Sequence, residues 1–153
     1  MAGNALNICV GPATLSINGT DVGYTKGGVS IRMPRSYLEI VADQAMGVVK
    51  IAKTLEQMMV KTTLLEATLA NLRWAWDQAA ESAIGVADAV CNEVALVVVG
   101  VAPSGGTRTF TLTKCVPQGD SEVVYSREAE TGLEVEFQCL KASTGAFGTL
   151  ADS

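Results

Sequence analysis

The run Val94-Ala-Leu-Val-Val-Val-Gly-Val101 contains no polar side chain. With Ala102 it is the longest apolar stretch of the chain, and it falls far short of the roughly 20 residues that a membrane-spanning helix needs. A short run rich in β-branched residues reads as a strand, and the absence of polar alternation means that such a strand must be covered on both faces. A chain of 153 residues builds one ordinary domain with a real core and is too short for two. Another subunit is therefore a candidate for the second cover. Charge points the same way: 18% of the residues are charged, against about 25% in typical soluble domains. With 48% hydrophobic residues, intrinsic disorder is excluded.

Further strands follow from alternation. Ala13, Leu15 and Ile17 alternate with Thr14, Ser16 and Asn18, and Asn18-Gly19 is a hairpin signal before Thr20–Thr25. Gly27-Gly28 is expected to turn the chain into Val29–Met33, Pro34 interrupts, and Ser36–Asp43 resumes an extended pattern. Leu38, Ile40 and Ala42 fall on one of its faces, and Tyr37, Glu39, Val41 and Asp43 on the other. After a break around Ala45–Gly47, Val48–Thr63 reads as one long strand or two interrupted near Ala52–Thr54. Thr107–Cys115 alternates as another strand. Glu122–Ser126 and Leu133–Leu140 are expected to form a second hairpin, with Leu133, Val135, Phe137 and Cys139 inward and Glu134, Glu136 and Gln138 outward.

One helix is expected, over about residues 64–79. Thr63-Leu-Leu-Glu66 matches a capping box, in which the hydroxyl and the carboxylate satisfy two otherwise unpaired amides. Leu65, Leu69, Leu72 and Trp76 would form the stripe packed on a sheet, and Trp74 and Trp76 read as packing residues rather than a ligand cage. The Ala/Gly/Asp-rich residues 79–92 receive no assigned conformation. The expected fold is mainly β: a β-sandwich or barrel of antiparallel strands with one flanking helix, a single domain over residues 1–153.

Composition also restricts chemistry. The chain has no histidine, which removes the commonest general base and metal ligand together with Ser/His/Asp and Cys/His nucleophilic arrangements. Cys9, Cys91, Cys115 and Cys139 form no Cys-x-x-Cys pair, so a zinc site is not expected; they read as buried small hydrophobes, with all three disulfide pairings formally open. No catalytic residue, cofactor or metal is expected. A net charge of −5 argues against a broad basic face that grips nucleic acid. The charge is uneven: residues 1–76 carry seven Lys/Arg and five Asp/Glu, whereas residues 77–153 carry four and eleven. Such asymmetry suits head-to-tail association, although a solvated acidic face has the same signature. No Lys or Arg precedes Lys26, so the start lacks the basic region of a secretory signal, and a soluble chain made in the cytoplasm is expected.

Several blocks resemble one family when read together. They are Gly11-Pro-Ala-Thr-Leu15, Asn18-Gly-Thr-Asp-Val-Gly-Tyr-Thr-Lys-Gly-Gly-Val-Ser30, Val60-Lys-Thr-Thr-Leu-Leu-Glu-Ala-Thr-Leu-Ala-Asn-Leu72, Val124-Tyr-Ser-Arg127, Leu133-Glu-Val-Glu-Phe-Gln-Cys-Leu140 and Ser143-Thr-Gly-Ala-Phe-Gly148. In this combination the chain resembles the tail tube proteins, or major tail proteins, of tailed bacteriophages. The resemblance implies a virion protein that assembles in the bacterial host cytoplasm as stacked hexameric rings, its inner strands joining into a 24-stranded barrel around a channel for genome ejection. It also implies partners: copies of itself, tape-measure, tail-tip and tail-terminator proteins, a sheath if the tail contracts, and double-stranded DNA in transient passage.

A wall dominated by Lys/Arg would hold DNA, whereas acidic or neutral polar groups would let it slide. Glu39, Asp43, Glu56, Glu134 and Glu136, on polar sides of alternating strands, are the expected lumen-facing residues. For contacts between rings, Arg32, Arg35, Lys50, Lys53 and Lys61 are expected to meet the acidic Asp120, Glu122, Glu128 and Glu130 of a neighbour. Such pairs would mainly orient, since each surface pair contributes about 0 to 1 kcal/mol. Alternatives are the tube of a phage-derived contractile particle or a type VI secretion apparatus, and a carbohydrate-binding β-sandwich module. The pairs Glu134/Glu136 and Asp77/Glu81 do not by themselves straddle a scissile glycosidic bond, and Asn18-Gly-Thr20 reads as a turn rather than a glycosylation acceptor.

Overall fold

The computed structural model describes residues 3–78 and 91–153. Thr14–Ile17 (β1) and Thr20–Asp21 (β2) form the hairpin expected at Asn18-Gly19, where φ is 50° and 83°. Two adjacent positive φ values define the primed turn whose twist matches the flanking strands. Thr25–Arg32 (β3) runs through Gly27-Gly28 rather than beginning after them. Both glycines hold positive φ, and the pairing register shifts between Lys26 and Ser30. They make a bulge inside the strand, not a turn.

Arg35–Val41 (β4) pairs with Val48–Glu56 (β5), and Met58–Leu64 (β6) pairs back with β3. The interruption of the long Val/Ile/Met/Thr segment falls at Gln57, not near Ala52–Thr54. Leu69–Ala75 (α1) is the helix, shorter and later than expected. Its cap is Thr68, whose side chain accepts the amide of Asn71 at 3.2 Å. Thr63 lies within β6, opposite Lys26 on one side and Glu134 on the other, and the Glu66 carboxylate accepts the amide of Tyr24 at 3.3 Å. Pairing on both sides extends β6 through the expected cap, and Thr68 supplies an equivalent one further on. Leu69 and Trp76 are exposed, while Leu72, Trp74 and Ala75 pack on the core. The buried Asn71 side chain donates to the carbonyls of Val22 and Glu66 at 2.9 and 2.7 Å, fastening the helix to the first hairpin.

Val94–Val101 (β7), Thr107–Gln118 (β8), Leu133–Cys139 (β9) and Gly148–Asp152 (β10) complete the fold. The sheet order is β2-β1-β7-β8-β9-β6-β3, all antiparallel, with β10 also on β8. The sheet wraps one core, in which Leu15, Ile17, Val60, Leu96, Leu112 and Phe137 are fully or almost fully buried. The fold is thus mainly β and antiparallel, with one α-helix among the described residues. In β7 the expected double cover is half realised: Val94, Leu96 and Val98 are buried, whereas Ala95 is exposed and Val97 and Val99 are half-buried.

Glu122–Ser126 is not a strand and makes only a bridge from Val123 to Leu133. β6 takes one edge of β9 and β8 takes the other from Glu136 to Cys139, so only the end at Leu133 is left for it. β10 was not signalled by alternation. It continues the row of β9 along β8: Leu140 bonds to Lys114, the chain makes an excursion, and Gly148 resumes the pairing opposite Leu112. A β-carbon at Gly148 would stand 2.0 Å from the Thr111 carbonyl oxygen, so this close approach requires glycine. Of the cysteines, Cys115 and Cys139 are buried, while Cys9 and Cys91 are exposed, contrary to expectation. The 79–90 stretch and Glu81 lie outside the described residues.

Candidate self-assembly surface

β4 and β5 form a two-stranded sheet of their own. They prolong β3 and β6 as one ribbon, and the amide of Gln57 donates to the carbonyl of Pro34 at 2.9 Å where the two halves meet. At about 3.3 Å per residue, the nine residues of β5 reach roughly 30 Å. An isolated two-stranded hairpin is marginal in water, and its outer edges offer unpaired backbone groups.

Pairing defines the ribbon's faces. Ser36↔Leu55, Leu38↔Ala52 and Ile40↔Lys50 make one face, and Arg35↔Glu56, Tyr37↔Lys53, Glu39↔Ile51 and Val41↔Val48 the other. Tyr37, Leu38, Ile40, Val41, Val48, Val49, Ile51 and Leu55 are all between 41% and 65% exposed. Scattered apolar residues on a surface are normal, but eight on one hairpin, spread over both of its faces, are a concentration of the kind that marks an interaction site.

Of the expected lumen residues, Glu39 and Glu56 share a ribbon face with Arg35 and Lys53, and Lys53 lies 3.3 Å from Glu56. Asp43 is in the turn at the ribbon tip. Glu134 and Glu136 stand on the outer face of β9 opposite Thr63 and Lys61, and Arg32 reaches Glu136 at 3.7 Å. Glu56 lines a cleft beside Met58, whose partner Cys139 points into the core, so Glu56 and Glu136 occupy opposite faces of the sheet. The five carboxylates therefore do not make one acidic surface, and Glu39, Glu56 and Glu136 have basic neighbours.

Of the expected inter-ring residues, Arg35, Lys50 and Lys53 are on the ribbon and Arg32 and Lys61 at its base, while Asp120, Glu122, Glu128 and Glu130 are on the β8–β9 connection. Glu130 is engaged within the chain by Lys26, whose hydrogen bond and charge hold its carboxyl below the ordinary range. No local signal in the sequence points to Lys26, because its partner lies over a hundred residues away.

Where the ribbon leaves the sheet, it opens a cleft of about 330 Å³ lined by Met33, Met58, Phe110, Leu112, Phe147 and Leu150 among others. Its far wall is β10, paired with β8 on one side only in the described residues. The arrangement presents backbone edges and apolar surface, the chemistry of strand addition. No group of three or more His, Cys, Asp or Glu among the described residues is placed to hold a metal, and no helix among them is long and apolar enough to cross a membrane.

No family model matches the chain, and no curated protein sequence matches it. In fold it is similar to a component of the anti-feeding prophage (AFP) baseplate, determined by cryo-EM and 6-fold symmetrised. The two share a TM-score of 0.50 and 10% identity, over 100% of this chain and 97% of that chain. At that identity the likeness is one of fold.

Proposed function

We propose that this chain is a structural subunit of a phage-type tail, built to polymerise as stacked hexameric rings into the tail tube through which a genome is ejected. The observation that carries this reading is the β4–β5 ribbon, with exposed apolar residues on both faces and, among the described residues, no strand paired to either outer edge. Burial of that surface against copies of itself would supply the free energy that the solitary hairpin lacks. The half-covered β7 and the cleft beside β10 add further apolar surface for neighbours. The blocks that resemble tail tube proteins, and a fold likeness to a component of a phage-derived particle, support the same role.

Six subunits each lending four strands would close a 24-stranded sheet. At about 4.8 Å per strand and a tilt near 40°, its diameter is roughly 50 Å, wide enough for duplex DNA. Only one of the two faces that carry the candidate carboxylates would line such a bore, leaving the other for neighbours. Basic residues of the ribbon and its base would meet Asp120, Glu122 and Glu128 of the next ring and set its orientation. Tape-measure, tail-tip and terminator proteins, and a sheath in a contractile tail, would be its partners in the virion.

Cryo-microscopy of the concentrated protein, with and without a tail-tip nucleus, tests this directly. Tubes of six-fold rings with ribbons packed side by side are expected, and a particle that stays single under every condition overturns the proposal. The AFP likeness favours a second reading, the tube of a phage-derived particle that delivers protein rather than DNA. A bore lined by basic side chains in the reconstructed tube would favour it over the genome conduit.

A further inference from the structure

Two thiols with no part in the proposed assembly face each other in the core. Cys115 on β8 and Cys139 on β9 are register partners and are 0% and 2% exposed. The amide of Leu140 donates to the carbonyl of Lys114 at 2.7 Å, which makes Cys115 and Cys139 a non-hydrogen-bonded pair of the antiparallel ladder. Such pairs bring α-carbons to about 4.5 Å with the side chains close together, and that lies within the range of about 4.4–6.8 Å that a disulfide spans. The Sγ atoms are 3.1 Å apart, the Cys115 thiol donating to the Cys139 sulfur. We propose that Cys115 and Cys139 are a redox modification site, a cross-strand dithiol that hydrogen peroxide converts to a disulfide between β8 and β9.

The hydrogen bond divides the roles. It holds the Cys139 thiol below its ordinary pKa against the opposing effect of burial, while the same bond and burial push Cys115 up. The Cys139 thiolate attacks one peroxide oxygen, the O–O bond breaks, and the departing hydroxide takes a proton to leave as water, giving a sulfenic acid. The Cys115 sulfur, losing its proton, then attacks the Cys139 sulfur. The S–S bond forms, the S–O bond breaks, and hydroxide leaves as a second water. Two thiols and one peroxide become one disulfide and two waters; the dithiol loses two electrons and the peroxide gains them. The two sulfurs are buried, out of reach of bulky disulfides, so the proposal requires a small oxidant. A resolving sulfur already in contact favours closure over further oxidation to sulfinic acid.

The test uses the full chain carrying Cys9→Ser and Cys91→Ser, which removes the two exposed thiols. The folded protein is treated with hydrogen peroxide, quenched, alkylated in denaturant and mapped by mass spectrometry. The expected result is loss of two hydrogens from the intact mass, loss of both titratable thiols, and a cross-linked peptide pair containing Cys115 and Cys139, all reversed by dithiothreitol. The same map on the unsubstituted protein gives the linkage without depending on the variant. In that background Cys115→Ala is expected to leave a dimedone-trappable sulfenic acid at Cys139, and Cys139→Ala to slow peroxide consumption at least tenfold. Two thiols still titratable at peroxide levels that oxidise free cysteine, or separate sulfinic acids without a link, overturn the proposal. Equal consumption by Cys139→Ala overturns the assignment of Cys139 as the attacking sulfur.

Discussion

Gln57 and Pro34 face each other across the ribbon, the amide of one donating to the carbonyl of the other at 2.9 Å, at the level where the sheet ends and the free-standing hairpin begins. Replacing Gln57 by proline removes that donor, a loss of about 1 kcal/mol for one backbone bond. Hydrogen exchange is expected to accelerate in β4 and β5 while β1, β7 and β8 keep their protection. Uniform acceleration would mean that the ribbon and the core open as one unit.

Leu38 and Ile40 lie on the same ribbon face and are both exposed. Leu38→Lys or Ile40→Lys is expected to change monomer stability by no more than about 0.5 kcal/mol, as for ordinary surface substitutions, and to abolish tube formation. Denaturant unfolding and negative-stain microscopy separate the two effects. Normal tubes from the Leu38→Lys/Ile40→Lys double variant would remove this face from the interface.

Asn71→Ala removes a buried amide that donates to the carbonyls of Val22 and Glu66. Leaving these acceptors unpaired is expected to cost about 2 to 3 kcal/mol, read as a lower denaturant midpoint with an unchanged slope. Thr68→Ala, which removes only the helix cap, is expected to cost about 1 kcal/mol.

Arg108 and Asp152 are cross-strand partners joined by two hydrogen bonds of 2.6 and 2.8 Å, and the guanidinium holds the carboxyl below its ordinary value. A carboxyl whose folded pKa is depressed stabilises the fold above its unfolded value of about 3.9. That contribution is lost as pH falls through the lowered folded value. On acidification, amides of β10 are expected to lose exchange protection before those of β9. Asp152→Asn should remove this pH dependence and leave β10 equally protected on both sides of the transition.

The parts of the fold that were readable in the sequence are those where a local signal and the long-range pairing agree. Asn18-Gly19 made a hairpin, and the inward set Leu133, Val135, Phe137 and Cys139 is buried as its alternation requires. The helix starts later than its capping box predicts because that box is a local signal, and Thr63 is held instead by two neighbouring strands that are distant in sequence. β10 was hidden for a similar reason: its place is set by a close approach of Gly148 to Thr111 rather than by side-chain periodicity. The extended pattern of Ser36–Asp43 holds as far as Val41, with Asp43 already in the turn, yet alternation alone does not reveal that both faces of the strand stand clear of the core. The charge clusters were legible as composition, but which cations meet which carboxylates, such as Lys26 and Glu130, depends on where loops return.

The ribbon has unequal sides: nine residues of β5 run against seven of β4, with register shifts between Ser36 and Tyr37 and between Ile40 and Val41. Surplus backbone on one strand bends and twists the strip, so its two margins are not interchangeable. A copy that docks along the longer margin meets a different template from one that docks along the shorter. A column built as proposed would then have a distinguishable top and bottom before a single charged pair forms.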